Sequence, residues 1–173
     1  RPSRIWWLMF FRNVVAHSTV LTRRQIFTNG DIKYTEKYPC ALDYDLFLQI
    51  LKDYKIASIP ETLFFYRRHT KNITIQRQQL ERDLTATIIQ NHTQKFLNFK
   101  LPENYGYAIR NYTEIRSIKD AFVICRIITI LYKKFFDQFS TSSDFDKEYV
   151  RRNYSSRIKK IWKSKNYHLL LFP

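Results

Sequence analysis

The sequence predicts an α/β fold, with a small mixed sheet in residues 1–75 and a mostly helical region in residues 76–173. Two patterns support this prediction: short apolar runs typical of strands lie in the first part, and apolar residues at helical spacing dominate the second. With only two glycines and five prolines among 173 residues, an all-β fold that depends on tight turns is disfavoured. We therefore expect two parts that are divided near residue 75.

The composition is that of a folded and strongly basic chain. Hydrophobic residues make up 45% and aromatic residues 17% of the chain, which is enough to build a core and argues against disorder. Its 30 basic and 15 acidic residues give a net charge of +15, so we expect a polyanionic partner: nucleic acid, an acidic membrane surface or a phosphate-bearing small molecule. No apolar run reaches the roughly 18 residues of a membrane span. The two distant cysteines, Cys40 and Cys125, suggest free thiols in a reducing compartment.

The first elements are predicted to be a buried apolar block, a short strand and a turn. Residues 5–11 (IWWLMFF) are too apolar for water and must pack within this chain or against another part of a longer protein, which the lack of an initial methionine also suggests. Val20 and Leu21 predict a short strand, and residues 29–31 (NGD) give a turn signal. On spacing alone, His17, just before this strand, is expected to be structural.

An acidic pair, Asp43 and Asp45, opens the clearest helix of the chain. We expect Asp43 to be the N-cap, because its carboxylate can accept an unpaired backbone N–H of the first turn. Residues two apart on a helix do not face each other, so the two carboxylates cannot both point at one ligand. One is expected to meet a ligand and the other to stabilise the helix, although on spacing alone both could simply favour the helix dipole. The predicted apolar stripe of this helix is Leu46, Phe47, Ile50, Leu51 and Tyr54.

Two strands are predicted after this helix, at residues 55–60 and 62–69. The second strand ends in a basic cluster at residues 66–69 (YRRH). Cations at the end of an apolar strand are costly to bury unless they are paired, so the cluster is expected to face water, an anion or a carboxylate. A solvated strand end would explain the pattern, but three basic groups in a row favour an anion site.

Three helices are predicted in the second part, at about residues 75–99, at residues 117–139 and from Asp144 onward. The stretch 117–120 (SIKD) resembles a capping box that begins the second of them. Residues 147–165 interleave Lys and Arg with Tyr, Ile and Trp, which indicates either a basic helix on an anionic membrane surface or a solvated helix packed on the core. The predicted apolar stripes are Leu80, Leu84 and Ile88 in the first helix, and Phe122, Cys125, Ile128, Tyr132, Phe135 and Phe139 in the second.

Four stretches resemble glycosyltransferase family 2, the inverting sugar transferases of GT-A fold that act in polysaccharide and cell-envelope synthesis. Residues 13–24 (NVVAHSTVLTRR) are similar to its Asn-x-x-x-His-(Pro)-Ser-x-x-x-Arg-Arg segment, and Gly30 with Tyr34 is similar to its Gly-x-Tyr turn. Residues 41–50 (ALDYDLFLQI) resemble its Glu-Asp-Tyr-Asp-Leu-Trp-Leu-Arg helix start. Residues 59–69 (IPETLFFYRRH) resemble its Pro-Glu-x-Leu-x-x-Tyr-Arg-x-His strand.

The resemblance implies that residues 1–75 hold a partial GT-A-like mixed sheet, the acceptor-side C-terminal half of the catalytic domain, and that residues 76–173 are a helical extension. It also implies that Asp43 is the catalytic base, which removes the proton of the acceptor hydroxyl as the sugar is transferred with inversion. His69 is implied as a metal ligand, and Arg67 beside it as a contact of the donor diphosphate. Donor or acceptor binding is implied for His17, Arg24, Tyr66 and Arg67.

The function that follows from this resemblance is transfer of a sugar from a nucleotide-diphosphate sugar to a glycan or a lipid-linked glycan, with Mg²⁺ or Mn²⁺ as the metal. The family's nucleotide-binding half and its Asp-x-Asp metal motif have no counterpart in these residues, so the chain is expected neither to bind the donor well nor to turn over alone. Leu42 stands where the family usually has Glu. The expected location is cytoplasmic, peripheral at the inner face of the cell membrane, with residues 147–165 on the membrane.

The alternative function is a non-enzymatic basic helical module that binds nucleic acid or an anionic membrane. It accounts for the net charge of +15 without any catalytic site, and it predicts binding that weakens steeply with salt. Against it, no recognised nucleic-acid motif is present, and it leaves the pattern in residues 41–69 unexplained.

Overall fold

The computed structural model describes residues 1–28, 31–65, 67 and 76–164, and in these ranges the chain is helical, with no β-strand. Three short 3₁₀ turns connect the α-helices of the described part, at His17–Thr19, Glu103–Tyr105 and Tyr112–Glu114. The α-helices there are α1 (Pro2–Met9), α2 (Gln25–Thr28), α3 (Leu42–Asp53), α4 (Gln78–Leu97), α5 (Ile118–Phe139) and α6 (Lys147–Lys163).

The predicted α/β fold with a GT-A-like mixed sheet is therefore wrong for the described residues. The segments predicted as strands, residues 20–21, 55–60 and 62–65, are irregular. A strand requires a partner for its backbone groups and a covered apolar face, and a lone hairpin is marginal in water. The covered apolar face is missing here, because Leu63 and Phe65 are 74% and 88% exposed. The end of the second predicted strand, residue 66 and residues 68–69, lies outside the described residues.

Helix α1 forms the centre of the core, so the apolar block at residues 5–11 is buried within this chain. Trp7 is fully buried, and its ring centroid lies 5.4 Å from that of Phe135 on α5. Trp6 stacks on Phe10 at 5.2 Å, and Phe10 meets the same Phe135 edge-on at 5.8 Å. Large aromatic side chains contribute much of the burial energy of a core, so α1 and α5 hold the fold together.

The carboxyl end of α1 is fixed by two side chains from other parts of the chain. The Tyr44 hydroxyl of α3 donates a hydrogen bond to the carbonyl oxygen of Met9. The Arg110 Nε donates to the carbonyl oxygen of Phe11 at 3.0 Å. The last carbonyls of a helix have no partner within the helix, and the Tyr44 bond satisfies one of them. The Arg110 bond holds the chain two residues after the helix, so the two bonds tie α3 and the loop before α5 to this end of α1.

The capping box predicted at the start of α5 is confirmed. The backbone N–H of Asp120 donates to Ser117 Oγ at 3.1 Å, and the backbone N–H of Ser117 donates to Asp120 Oδ2 at 3.0 Å. The predicted stripe of α5 is only partly right, because Phe122 is 52% exposed. Tyr132, also part of the predicted stripe, lies at the edge toward α6, stacked on Tyr154 at 4.4 Å. The buried residues of α5 are Ala121, Ile124, Ile127, Ile128, Leu131 and Phe135.

The buried face of α4 also differs from the predicted one, because polar residues belong to it. Leu80 is 42% exposed and Leu84 is half-buried, so of the predicted stripe only Ile88 is buried. The buried residues of α4 are Thr85, Ile88, Ile89, His92, Thr93 and Leu97. The predicted division at residue 75 lies outside the described residues, and buried side chains from both sides of it share one core.

Asp146 joins the first and last helices through three hydrogen bonds. Its carboxylate caps α6 by accepting the backbone N–H of Tyr149 at 3.0 Å, and it accepts Arg4 Nε of α1 at 2.8 Å. Its own backbone N–H donates to Ser3 Oγ at 2.9 Å. The cap bond from Tyr149 and then the Arg4 guanidinium lower the pKa of the Asp146 carboxyl from its ordinary value.

We expect Asp146→Asn to make the free energy of unfolding depend less steeply on pH in the acidic range. A carboxyl whose folded pKa is lowered adds stability that is complete above the unfolded pKa of about 3.9 and is lost as the pH falls through the folded pKa. The variant can still cap the helix but lacks the charge, so it should be less stable than the parent at pH 7 and approach it at low pH. Urea unfolding across this pH range measures the difference. Asp137→Asn, an exposed position on α5, is the control, and equal profiles for Asp146→Asn and the parent would contradict the assignment.

Candidate functional site

The first turn of α3 positions the acidic pair, but Asp43 is not the N-cap that the sequence predicts. Ala41 occupies the cap position, since the backbone N–H of Asp45 already donates to the Ala41 carbonyl at 3.2 Å. Asp43 is thus inside the first turn, where its Oδ1 accepts the backbone N–H of Tyr44 at 2.8 Å. The carboxylate still satisfies an unpaired donor of the helix start, and it lies half-buried at the surface.

Asn13 holds the other oxygen of the Asp43 carboxylate. Its side-chain Nδ2 donates to Asp43 Oδ2 at 3.1 Å. The Asn13 Oδ1 in turn accepts the backbone N–H of Val15 at 3.0 Å, which fixes the amide in a local turn. A carboxylate oxygen has two acceptor positions, so each oxygen of Asp43 retains one for a further donor.

His17 lies over the same side of α3 as Asp43. Its ring centroid is 6.2 Å from that of Phe47, which is one helical turn after Asp43 on the same face. The ring of Tyr34 is 5.9 Å from His17 on another side, meeting it edge-on. His17 and Tyr34 are exposed and Asp43 is half-buried, whereas Phe47 beside them belongs to the buried core. We call Asn13, His17, Tyr34, Asp43 and Phe47 together the Asp43 site.

The Asp43 site brings together three of the four stretches that carry the family resemblance. Asn13 and His17 come from the first, Tyr34 follows the turn, and Asp43 begins the helix. Because these stretches are separate in the sequence, their proximity depends on the packing of α1 and α3 rather than on local sequence.

The remaining predicted site residues lie elsewhere or cannot be placed. Arg24 is exposed just before α2, and among the described residues no hydrogen bond or ion pair links its side chain to Asp43 or His17. Arg67 is described and exposed. Tyr66 and His69, together with Gly30 and Arg68, lie outside the described residues.

The described residues do not by themselves fit a divalent-metal centre. Within residues 1–28, 31–65, 67 and 76–164, no three His, Cys, Asp or Glu side chains come together as a metal ion would require. Asp43 has an amide and a backbone N–H as its neighbours rather than further carboxylates.

Asp45 has a different environment, in the interior between α3 and α4. It is only 7% exposed, and its two oxygens take different partners: Gln49 Nε2 donates to one at 2.6 Å, and His92 Nε2 lies 3.0 Å from the other. Because a carboxylate can only accept, Nε2–H of His92 is the donor. The His92 ring stacks on Phe96 at 5.1 Å, and its buried Nδ1 has no hydrogen-bond partner among the described residues.

Sequence reasoning missed His92 as the partner of Asp45. The only signal was its position, since His92 follows Ile88 by four residues and so shares a face with it. A histidine on an apolar stripe indicates a buried hydrogen bond. Its partner lies 47 positions away, and no sequence pattern identifies it.

We expect His92→Ala to destabilise the chain by about 1–3 kcal/mol, because it leaves one oxygen of the buried Asp45 carboxylate without its partner. The exposed Lys95→Ala on the same helix is the control and should change stability by no more than about 0.5 kcal/mol. Urea unfolding measures both. A double-mutant cycle with Asp45→Asn should show less than additive effects, and full additivity would contradict the direct contact.

Large apolar side chains are exposed on two segments of the chain. On the segment after His17, Leu21 is fully exposed, and Phe27 of α2 is 38% exposed. On the irregular segment after α3, Ile59 is 66% exposed and Phe65 is 88% exposed. Large exposed apolar surface on a monomer often marks a contact region.

No protein-family model, no curated protein and no solved structure matches this chain. In the described part, no helix combines the length and the apolar character that a membrane crossing demands.

Proposed function

We propose that this chain is the acceptor-side part of an inverting glycosyltransferase of family 2, with Asp43 as the catalytic base. The observation that carries the proposal is the Asp43 site itself. Asp43 is half-buried, and its two oxygens accept hydrogen bonds from the Asn13 side chain and the Tyr44 backbone N–H. Each oxygen can still accept a further hydrogen bond. A general base requires a fixed carboxylate that the nucleophile can reach, and this geometry meets that requirement.

The reaction proposed for this site is a single displacement at the anomeric carbon of the donor sugar. An acceptor hydroxyl donates its hydrogen bond to Asp43, and its oxygen attacks the anomeric carbon from the side opposite the nucleoside diphosphate. The new glycosidic bond forms as the bond to the diphosphate breaks, and the hydroxyl proton passes to the Asp43 carboxylate. The two existing hydrogen bonds hold the carboxylate in place during this transfer, which avoids reorganisation at the moment of reaction.

Asp45 is a poor candidate for the base, although it belongs to the same acidic pair. It is 7% exposed, and Gln49 and His92 occupy its two oxygens. An acceptor hydroxyl would have to enter the packed interior between α3 and α4 to reach Asp45, whereas Asp43 lies half-buried at the surface. We therefore assign the role of catalytic base to Asp43. Asp45 has the structural role of holding α3 against α4.

His17 and Tyr34 are proposed to form the wall on which the acceptor glycan rests. Both rings are exposed beside Phe47, and aromatic rings with polar tips are common linings of ligand sites. Arg24, Tyr66 and Arg67 remain proposed contacts of the donor, since a leaving diphosphate requires positive charge.

The donor-binding half and the metal are proposed to come from outside the described residues. The exposed apolar side chains of residues 20–27 and 59–65 support a further protein part that covers them. In the complete enzyme Mg²⁺ or Mn²⁺ would supply charge to the leaving diphosphate. Since the described residues hold no group of three suitable ligands, the ligand set would include residues beyond them, with His69 as the candidate from this chain.

In the complete enzyme, Asp43→Asn should lower kcat by about 10²–10⁴-fold, because the amide cannot accept the hydroxyl proton. Donor affinity should stay near that of the parent, because the substitution preserves size and the donor binds elsewhere. Initial rates of sugar transfer and a separate donor-binding titration measure the two effects.

The matched control for that experiment is Asp53→Asn, at the exposed last turn of α3. It removes the same charge from the same helix and should leave kcat unchanged. Turnover by Asp43→Asn at the rate of the parent would reject Asp43 as the base.

The alternative function, a basic helical module without catalysis, is favoured by one structural observation. The described part of the chain is helical, and the exposed surface of its last two helices is rich in Lys and Arg. Such a surface is compatible with a transferase as well.

A further inference from the structure

Helices α5 and α6 pack side by side in opposite directions and are joined along their length by aromatic contacts. Tyr132 of α5 stacks on Tyr154 of α6 at 4.4 Å, and the Thr129 and Tyr154 hydroxyl oxygens are 3.1 Å apart. Near the start of α5 and the end of α6, Phe122 meets Trp162 edge-to-face at 4.9 Å. The two helices therefore present one continuous outer surface, opposite the side that packs on α1.

Cations line this outer surface on both helices. On α5, Lys119, Phe122, Arg126 and Lys133 are exposed at spacings of three, four and seven residues, which place them on one face. On α6, Arg151 and Lys159 are exposed and share a face with Trp162, which is half-buried. We call these residues the basic face: Lys119, Phe122, Arg126, Lys133, Arg151, Lys159 and Trp162.

The cations of the basic face are not neutralised by neighbours. In the described part of the chain, no carboxylate lies within ion-pair distance of any of them. Three acids are near in sequence. Asp120, next to Lys119, accepts the backbone N–H of Ser117 in the capping box. Glu148 is held by Arg152, and Asp137 is one turn beyond Lys133. The net charge of the face is therefore strongly positive, and it complements an anionic partner.

Phe122 gives the basic face an apolar centre. It is 52% exposed although its ring touches Trp162, and Lys119 and Arg126 lie one turn away on either side along α5. Cations with long aliphatic stems around an exposed Phe and a half-buried Trp are the side chains that an interfacial helix uses, with rings among the acyl chains and charges at the headgroups.

The same face is less suited to nucleic acid. Binding to a single strand uses a groove with free ring faces on which bases stack. Here Phe122 and Trp162 meet at an interplanar angle of 78°, each ring engaging the other. The side-by-side outer surfaces of two helices form a broad face rather than a groove, which matches the plane of a bilayer.

We propose that the basic face binds the surface of an anionic lipid bilayer, with its cations on the lipid headgroups and Phe122 and Trp162 in the interfacial layer. The inference concerns a surface remote from the Asp43 site in sequence and does not rest on sugar transfer. It extends the sequence prediction for residues 147–165, because half of the face comes from α5; Lys165 lies outside the described residues.

The test compares two triple variants that each remove three positive charges. Lys119→Gln/Arg126→Gln/Lys133→Gln alters the basic face, and Lys33→Gln/Lys95→Gln/Lys100→Gln alters exposed cations elsewhere. Vesicles of phosphatidylcholine with about 30% phosphatidylserine are the probe, and vesicles of pure phosphatidylcholine are the reference. Binding is measured by co-sedimentation at about 0.1 M salt, with circular dichroism to verify that each variant is folded.

The parent should bind the anionic vesicles and bind pure phosphatidylcholine far more weakly. Each cation at an anionic surface is worth about fivefold in binding, so the basic-face variant should bind about 100-fold more weakly. The control variant should stay within about tenfold of the parent. Phe122→Ser should also weaken binding, because it removes the inserted ring, and its loss should persist at high salt.

Tryptophan fluorescence gives an independent readout. Trp6 and Trp7 are buried in the core, so a blue shift on vesicle binding reports Trp162 entering an apolar layer. No binding to anionic vesicles, or equal losses in the two triple variants, would overturn the proposal. Tighter binding of the basic face to duplex DNA than to the vesicles would assign the face to nucleic acid and overturn it as well.

Discussion

The rest of the structure depends on the burial of α1. Its aromatic side chains pack on Phe135 and neighbouring rings, and its last carbonyl takes a hydrogen bond from Tyr44. The Phe11 carbonyl just after the helix takes one from Arg110. These contacts fix where the chain leaves the helix. Asn13 comes two residues after Phe11 and reaches Asp43 at 3.1 Å. The polar site is thus a consequence of core packing, because the burial of α1 fixes the position of Asn13, which follows it in the chain and contacts Asp43.

The acidic pair of α3 shows how one short helix can serve both structure and chemistry. Asp45 points inward to Gln49 and His92, where a buried and hydrogen-bonded carboxylate ties α3 to α4. Asp43, two positions earlier, points to Asn13 at the surface. The divergence follows from helical geometry, since residues two apart face different directions. Loss of the inner carboxylate would loosen the helix that carries the outer one, so the two roles are coupled.

Sequence reasoning succeeded where the signal is local. The capping box at Ser117 and Asp120 and the helix after it were predicted because their hydrogen bonds join residues three apart. The strands at 55–60 and 62–69 were predicted from local sequence pattern, but a strand exists only with a partner, and in the described part of the chain residues 55–65 form no strand. Of the site, the resemblance selected His17 and Asp43, whereas the partner role of His92 required the packing of α4 on α3.

Nuclear Overhauser effects in solution test directly whether the helical core brings Asn13, His17, Tyr34, Asp43 and Phe47 into one site. Cross-peaks are expected from the His17 ring to the rings of Phe47 and Tyr34, whose centroids lie 6.2 and 5.9 Å from that of His17. An Asn13 side-chain amide that is slowed in exchange and released in Asp43→Ala is also expected. Absence of these cross-peaks, with an Asn13 amide that exchanges as freely as in an unfolded peptide, would contradict the account.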